Sequence, residues 1–118
     1  RAVEVPARVG AKARVKIRVA VRNAGGAVWL ARERGLSPFQ LSAANHWLDA
    51  GGRAVTNDDG RGALPRDLRP GEEALITFDV NAPRRPGDYL LEVDMLQEGV
   101  SWFALKGSKT LRVPVKVE

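Results

Sequence analysis

A two-layer all-β sandwich is the fold class this sequence predicts, and three observations predict it. Several segments alternate apolar and polar residues with a period of two. Turn signals rich in Pro, Gly and Asn separate them. No stretch carries the 3.6-residue apolar period of a convincing helix. The 118 residues amount to one ordinary domain. A chain of that size buries roughly two thirds of its unfolded surface, enough for one core without cross-links.

The elements follow in order. Val3 and Val5 read as an edge strand interrupted by Pro6, a position where proline is tolerated. Val15, Ile17, Val19 and Val21 alternate with Lys16, Arg18 and Arg22, which predicts a strand with one buried and one wet face. Asn23-Ala24-Gly25-Gly26 ends it, because Asn and Gly tolerate positive φ. Ala27 to Arg34 is expected to form at most one short helical turn. Phe39, Leu41, Ala43, Asn45 and Trp47 share one face of the next strand, with Gln40, Ser42, Ala44 and His46 on the other. Asp49-Ala50-Gly51-Gly52 reads as a turn, Arg53 to Thr56 as a short returning strand, and Asn57 to Gly60 as a loop.

Leu68-Arg69-Pro70-Gly71 is a tight turn in which proline presets φ and glycine supplies the positive φ after it. Ala74, Ile76, Phe78 and Val80 then mark the inner face of a strand. Tyr89, Leu91, Val93 and Met95 mark the next, with Glu92 and Asp94 facing out. Leu111, Val113, Val115 and Val117 mark the last. About seven strands in a chain of this length favour an immunoglobulin-like antiparallel sandwich. Tyr89 opens its strand two residues after Gly87, so its hydroxyl is placed to bond back to the preceding loop, as in a tyrosine corner. Residues 1–118 form a single domain in this reading, and with Arg1 first and Met95 the only methionine, a domain excised from a larger protein is expected.

Composition excludes several chemistries. Cysteine is absent, so disulfides, thiolate zinc sites and cysteine nucleophiles are ruled out. No run approaches the ~20 apolar residues of a helical membrane span. The net charge is +5, and 14 of the 19 basic residues are Arg. These are scattered along the chain, at Arg8, Lys12, Arg14, Arg34, Arg61, Arg84 and Arg112 among others, without a run of five. Basicity of this kind gives nonspecific nucleic-acid affinity at most, so no specific nucleic-acid partner is expected.

The turn motifs carry a resemblance. Val19-Ala20-Val21-Arg22-Asn23-Ala24-Gly25, Trp29, Leu68-Arg69-Pro70-Gly71-Glu72, Ala82-Pro83 and Pro86-Gly87-Asp88-Tyr89 follow one another as in bacterial immunoglobulin-like accessory domains. The layout is similar to that of the four-tryptophan domain of selective-autophagy receptors and its bacterial relatives, although this chain has three Trp. His46-Trp47-Leu48-Asp49 and Glu98-Gly99-Val100-Ser101-Trp102-Phe103 resemble segments of domains attached to bacterial glycan-processing and cell-envelope proteins. The resemblance spans most of the chain. It implies a non-catalytic accessory module, an extracellular or envelope setting, and no cofactor. Members of this superfold bind sugars, bind proteins or space their neighbours.

Candidate chemistry is sparse. His46 is the only histidine and stands without a nucleophile elbow, so a Ser-His-Asp centre is not expected; the plain alternative is a strand residue bonded to a neighbouring loop. One His cannot build a zinc site. Asn57, Asp58 and Asp59, with Asp49 nearby, offer oxygens to calcium but lack EF-hand spacing; a solvated turn is the competing reading. Glu92 and Asp94 lie two apart on one strand face, expected to be wet, which is not the facing pair a glycosidase needs. Enzyme activity is therefore not expected.

The tryptophans remain. Trp47 shares a face with Phe39 and Leu41 and is expected in the core. Trp102 adjoins Phe103, so the two point to opposite faces, and Trp29 follows a Gly-Gly turn. An exposed indole stacks on the apolar face of a sugar ring, and polar neighbours such as Asp94, Gln97, Glu98 and Arg53 would bond its hydroxyls. Alternatively all three Trp seal the core and the sandwich ends. The expected function is carbohydrate binding, with Trp102, Trp29, His46, Glu98 and Arg53 as site residues and no metal. The other reading is a structural spacer or protein-docking domain, with a neighbouring domain as its partner. The isolated domain is expected to be monomeric.

Overall fold

The computed structural model describes residues 2–23, 26, 41–56, 59–97, 101–102 and 111–118. Among these residues there are ten strands and no helix. They are β1 (Ala2–Glu4), β2 (Arg8–Val9), β3 (Arg14–Arg22), β4 (Leu41–Asp49), β5 (Ala54–Thr56), β6 (Arg61–Ala63), β7 (Glu73–Asn81), β8 (Gly87–Gln97), β9 (Ser101–Trp102) and β10 (Leu111–Val117). The smaller sheet has the order β1-β3-β7. The larger runs β2-β10-β8-β4-β5, with β6 also pairing β4 and β9 pairing β8. No described helix is long and apolar enough to cross a membrane.

The expected alternation places the core. Ile17 stands opposite Phe78, and Val19 opposite Ile76, in an unbroken antiparallel register between β3 and β7. On the larger sheet Trp47 pairs with Leu91, and Leu91 in turn pairs with Val113. The inward side chains of both sheets meet in one cluster that includes Ile17, Trp47, Ile76, Phe78, Leu91 and Val115. Each fully buried aliphatic or aromatic chain of this kind contributes roughly 1.5–3 kcal/mol. Trp47 is 1% exposed, the central role expected of it.

Three features depart from expectation. Besides the seven strands expected from the sequence, β2, β6 and β9 are present, each of two or three residues. The sandwich is not wholly antiparallel: β2 pairs with β10 in parallel, Lys116 opposite Arg8. The outer face of the larger sheet is only partly wet. Ser42, Ala44, Leu48 and Asp94, all pointing away from the core cluster, are buried. Short side chains at 42 and 44 suit a covered face, whereas a solvated face would carry longer polar residues.

Turn chemistry follows the reading closely. Gly71 takes φ 88°, where a Cβ is disfavoured. Asn23 is buried, and its Nδ2 donates to the Leu68 carbonyl at 2.9 Å while its backbone carbonyl accepts from the Gly71 amide at 2.7 Å. One asparagine thus ties the end of β3 to the Leu68–Gly71 turn. Tyr89 Oη donates to the Arg85 carbonyl at 2.7 Å, the bond anticipated from its place after Gly87.

Candidate functional site

The outer face of the larger sheet brings together side chains distant in sequence. His46 on β4 stands opposite Glu92 on β8, and Arg112 on β10 stands opposite Glu92 from the other side. These three form one row across three adjacent strands. Cross-strand neighbours on one face lie about 4.5–5.5 Å apart at Cβ, which is why residues 20 and 46 positions away from Glu92 become its neighbours. Arg112 Nε donates to Glu92 Oε2 at 2.8 Å. The guanidinium is 56% exposed and the carboxylate only 13%, so the ion pair runs from the surface inward.

One register step along β8 lies Asp94, opposite Ala44, 5% exposed, with Oδ1 accepting the Met95 amide at 2.7 Å. Glu92 and Asp94 therefore do not share water as their spacing suggested. One is drawn into an ion pair, the other is buried. Beyond Asp94, the backbone of Trp102 on β9 pairs with Leu96. The row sets a carboxylate, a guanidinium and an imidazole side by side on three strands, with the Trp102 backbone held to the same central strand.

Of the residues named from sequence, His46 belongs to this row and is half-buried. Trp102 is placed by its backbone alone. Trp29 and Glu98 lie outside the described residues, as do Asn57, Asp58, Phe103 and the expected helical turn at 27–34. Arg53 does not join the row. It is exposed at the turn after β4, where its amide donates to Asp49 Oδ1 at 2.9 Å. Its neighbour Ala54 pairs with Leu48, itself opposite Leu90, whereas Trp102 pairs with Leu96. Six residues of β8 thus separate the two registers, roughly 20 Å at the rise of a strand. Glu92 was read only as a solvated carboxylate and Arg112 only as one of many scattered bases. No local signal singles them out, because only strand pairing makes them neighbours.

The acidic loop also differs from its reading. Asp59 Oδ2 accepts from Asn45 Nδ2 at 2.8 Å, Trp47 Nε1 at 3.0 Å and the Asn81 amide at 2.9 Å, and Oδ1 accepts Asn81 Nδ2 at 3.0 Å. Both oxygens face N–H donors, so Asp59 ties β4 to β7 rather than offering ligands to calcium. Asp49 does behave as a turn residue, taking the Gly51 and Arg53 amides on Oδ1. Among the described residues no group of three His, Asp or Glu is arranged to hold a metal.

Beside Asp59 a polar groove of about 470 Å³ opens between β6 and β7, lined in part by Arg14, Lys16, Arg61, Thr77 and Asp79. Arg14 Nη2 lies 3.2 Å from Asp79 Oδ2.

Fold and surface together define an all-β sandwich domain with a cross-strand polar row and a polar groove between β6 and β7. No protein-family model matches the sequence, and no curated protein is similar to it at a significant level.

Proposed function

We propose that the chain is a non-catalytic binding module of a larger bacterial protein, of immunoglobulin-like type, and that its ligand is carbohydrate. The observation that carries this reading is the row of His46, Glu92 and Arg112 on adjacent strands, beside the strand that holds Trp102. A carboxylate paired to a guanidinium is a rigid, planar set of acceptors and donors, suited to adjacent sugar hydroxyls. Trp102, whose backbone pairs with Leu96 of the same central strand, would bring an indole, which supplies stacking that charged groups do not. The recessed position of Glu92, 13% exposed, supports the reading, since a pre-ordered carboxylate loses little conformational freedom on binding.

The test is glycan-array binding by the wild-type domain and by Glu92→Gln, Trp102→Ala and Trp29→Ala variants. Retention of a glycan class by the wild type, lost in Glu92→Gln and Trp102→Ala, is the expected result. Absence of binding to every glycan, from a folded domain, overturns it. A second reading, a protein-docking domain, is favoured by one observation: the outer edge of β7 ends the smaller sheet without a partner strand among the described residues.

A further inference from the structure

Asp59-Gly60 is the one Asp-Gly pair in the sequence, which has no Asn-Gly pair. In an unfolded chain such a pair is chemically unstable. The glycine nitrogen reaches the aspartate side-chain carbon, because glycine has no Cβ in the way and its backbone turns freely. In the fold one side chain holds both reacting groups. Asn45 is 0% exposed, its Nδ2 donates to Asp59 Oδ2 at 2.8 Å, and its Oδ1 accepts the Gly60 amide at 2.7 Å. Only one orientation of the Asn45 amide satisfies both bonds, since the carboxylate needs a donor and the backbone N–H an acceptor.

Other contacts keep the two groups in place. Trp47 Nε1 and both nitrogens of Asn81 hold the Asp59 carboxylate between β4 and β7. Gly60 is buried and packs on the Asp79 carbonyl, with no room for a Cβ between them. Its nitrogen cannot turn toward the Asp59 side-chain carbon without parting from Asn45 and shifting against β7.

We propose that Asp59-Gly60 is a site of aspartate isomerisation that the Asn45 side chain holds closed, so that chemical ageing of the domain begins with opening of the Asn45 bridge. In the open state the Gly60 nitrogen bonds to Asp59 Cγ. One Cγ–O bond breaks, and that oxygen leaves as water with the Gly60 amide proton and a solvent proton. Water then reopens the five-membered imide. Attack at the side-chain carbonyl restores aspartate. Attack at the main-chain carbonyl leaves the backbone running through Cγ, one atom longer, with the free carboxylate on Cα. That product no longer fits the bonds to Trp47, Asn45 and Asn81, so the damaged domain does not regain its stability on refolding. The proposal is independent of both the glycan and the docking readings.

The test compares the folded domain, the domain in urea and a synthetic peptide of residues 54–61, all aged at neutral pH. Trypsin cuts after Arg53 and Arg61 and releases the same segment from the protein. Isoaspartate at position 59 is read by chromatography against a synthetic standard and by fragmentation. The peptide and the urea sample are expected to isomerise at least about tenfold faster than the folded domain. Asn45→Ala, which removes both bonds of the bridge, is expected to accelerate the folded domain about tenfold. Asn81→Ala removes one bond to Oδ1 and is expected to have a smaller effect in the same direction. Asn23→Ala weakens the fold at a distant turn and is expected to leave the folded rate unchanged. In the wild type, isomerisation is expected to follow Gly60 amide exchange as urea is raised below the unfolding transition, a readout that needs no variant. Three results overturn the proposal. One is a folded domain that isomerises as fast as the peptide. Another is equal acceleration by Asn23→Ala and Asn45→Ala, which makes global unfolding the gate. The last is isomerisation that does not follow Gly60 exchange.

Discussion

Asp59 Oδ2 accepts the indole N–H of Trp47 at 3.0 Å, so the largest buried side chain of the core is held by a carboxylate from the loop before β6. The same oxygen takes Asn45 Nδ2 and the Asn81 amide, which makes Asp59 a clasp between β4 of one sheet and β7 of the other. Removing the carboxylate, whose Oδ1 also takes Asn81 Nδ2, strands four donors around a buried indole. Asp59→Ala is expected to destabilise the domain by about 3 kcal/mol, as for a partly buried charged acceptor with several partners. Urea unfolding measures this. A Trp47→Phe/Asp59→Ala double-mutant cycle is expected to show coupling above about 0.5 kcal/mol; strict additivity would deny the clasp.

Gly60 and Gly62 allow β6 to lie close to β7. A Cβ at Gly60 would stand 2.3 Å from the Asp79 carbonyl oxygen, and one at Gly62 would stand 2.6 Å from Ile76 Cγ2. A side-chain methyl has some room to turn away, but a carbonyl in a sheet does not. Gly60→Ala is therefore expected to cost about 3 kcal/mol and Gly62→Ala about 1–2 kcal/mol. Equal midpoints for the two variants in denaturant would contradict the argument.

Asn23 joins the end of β3 to the Leu68–Gly71 turn through Nδ2, and its burial leaves no water to replace that bond. Asn23→Ala is expected to lose about 2 kcal/mol. Asn23→Asp removes the donor at the same size and is expected to lose at least as much, since it sets a carboxylate against the Leu68 carbonyl. Thermal unfolding of the pair gives the check.

Tyr89 has two separable contacts. Its hydroxyl bonds the Arg85 carbonyl, and its ring meets Trp47 edge-on with centroids 6.4 Å apart. Tyr89→Phe keeps the ring and is expected to cost about 1 kcal/mol. Tyr89→Ala loses both and is expected to cost about 3 kcal/mol. A Phe variant as unstable as the Ala variant would mean that the hydroxyl, not the ring, holds the corner.

How much of this was legible depends on the range of the interaction involved. Val15 to Val21, Ala74 to Val80 and Leu111 to Val117 carry their strand assignment within seven residues, because a pleated chain with one buried face repeats every two positions. Pro70-Gly71 and Tyr89 announce their turns equally locally. Arg61-Gly62-Ala63 has no such period, and β6 exists only because β4 accepts it along Ser42 to Ala44. The parallel β2–β10 pairing is invisible for the same reason.

The sequence alone determined the all-β class, about seven strands, the core face of the five long periodic ones and the main turn devices. All of these arise from φ preferences and side-chain alternation between near neighbours. Only the tertiary structure decided that Asp59 binds an indole rather than solvent, that His46, Glu92 and Arg112 share a row, and that β7 ends the smaller sheet among the described residues. Each of these depends on which strands lie side by side, and hydrophobic alternation is blind to that choice: it tells a strand which face to bury, not which strand to lie beside.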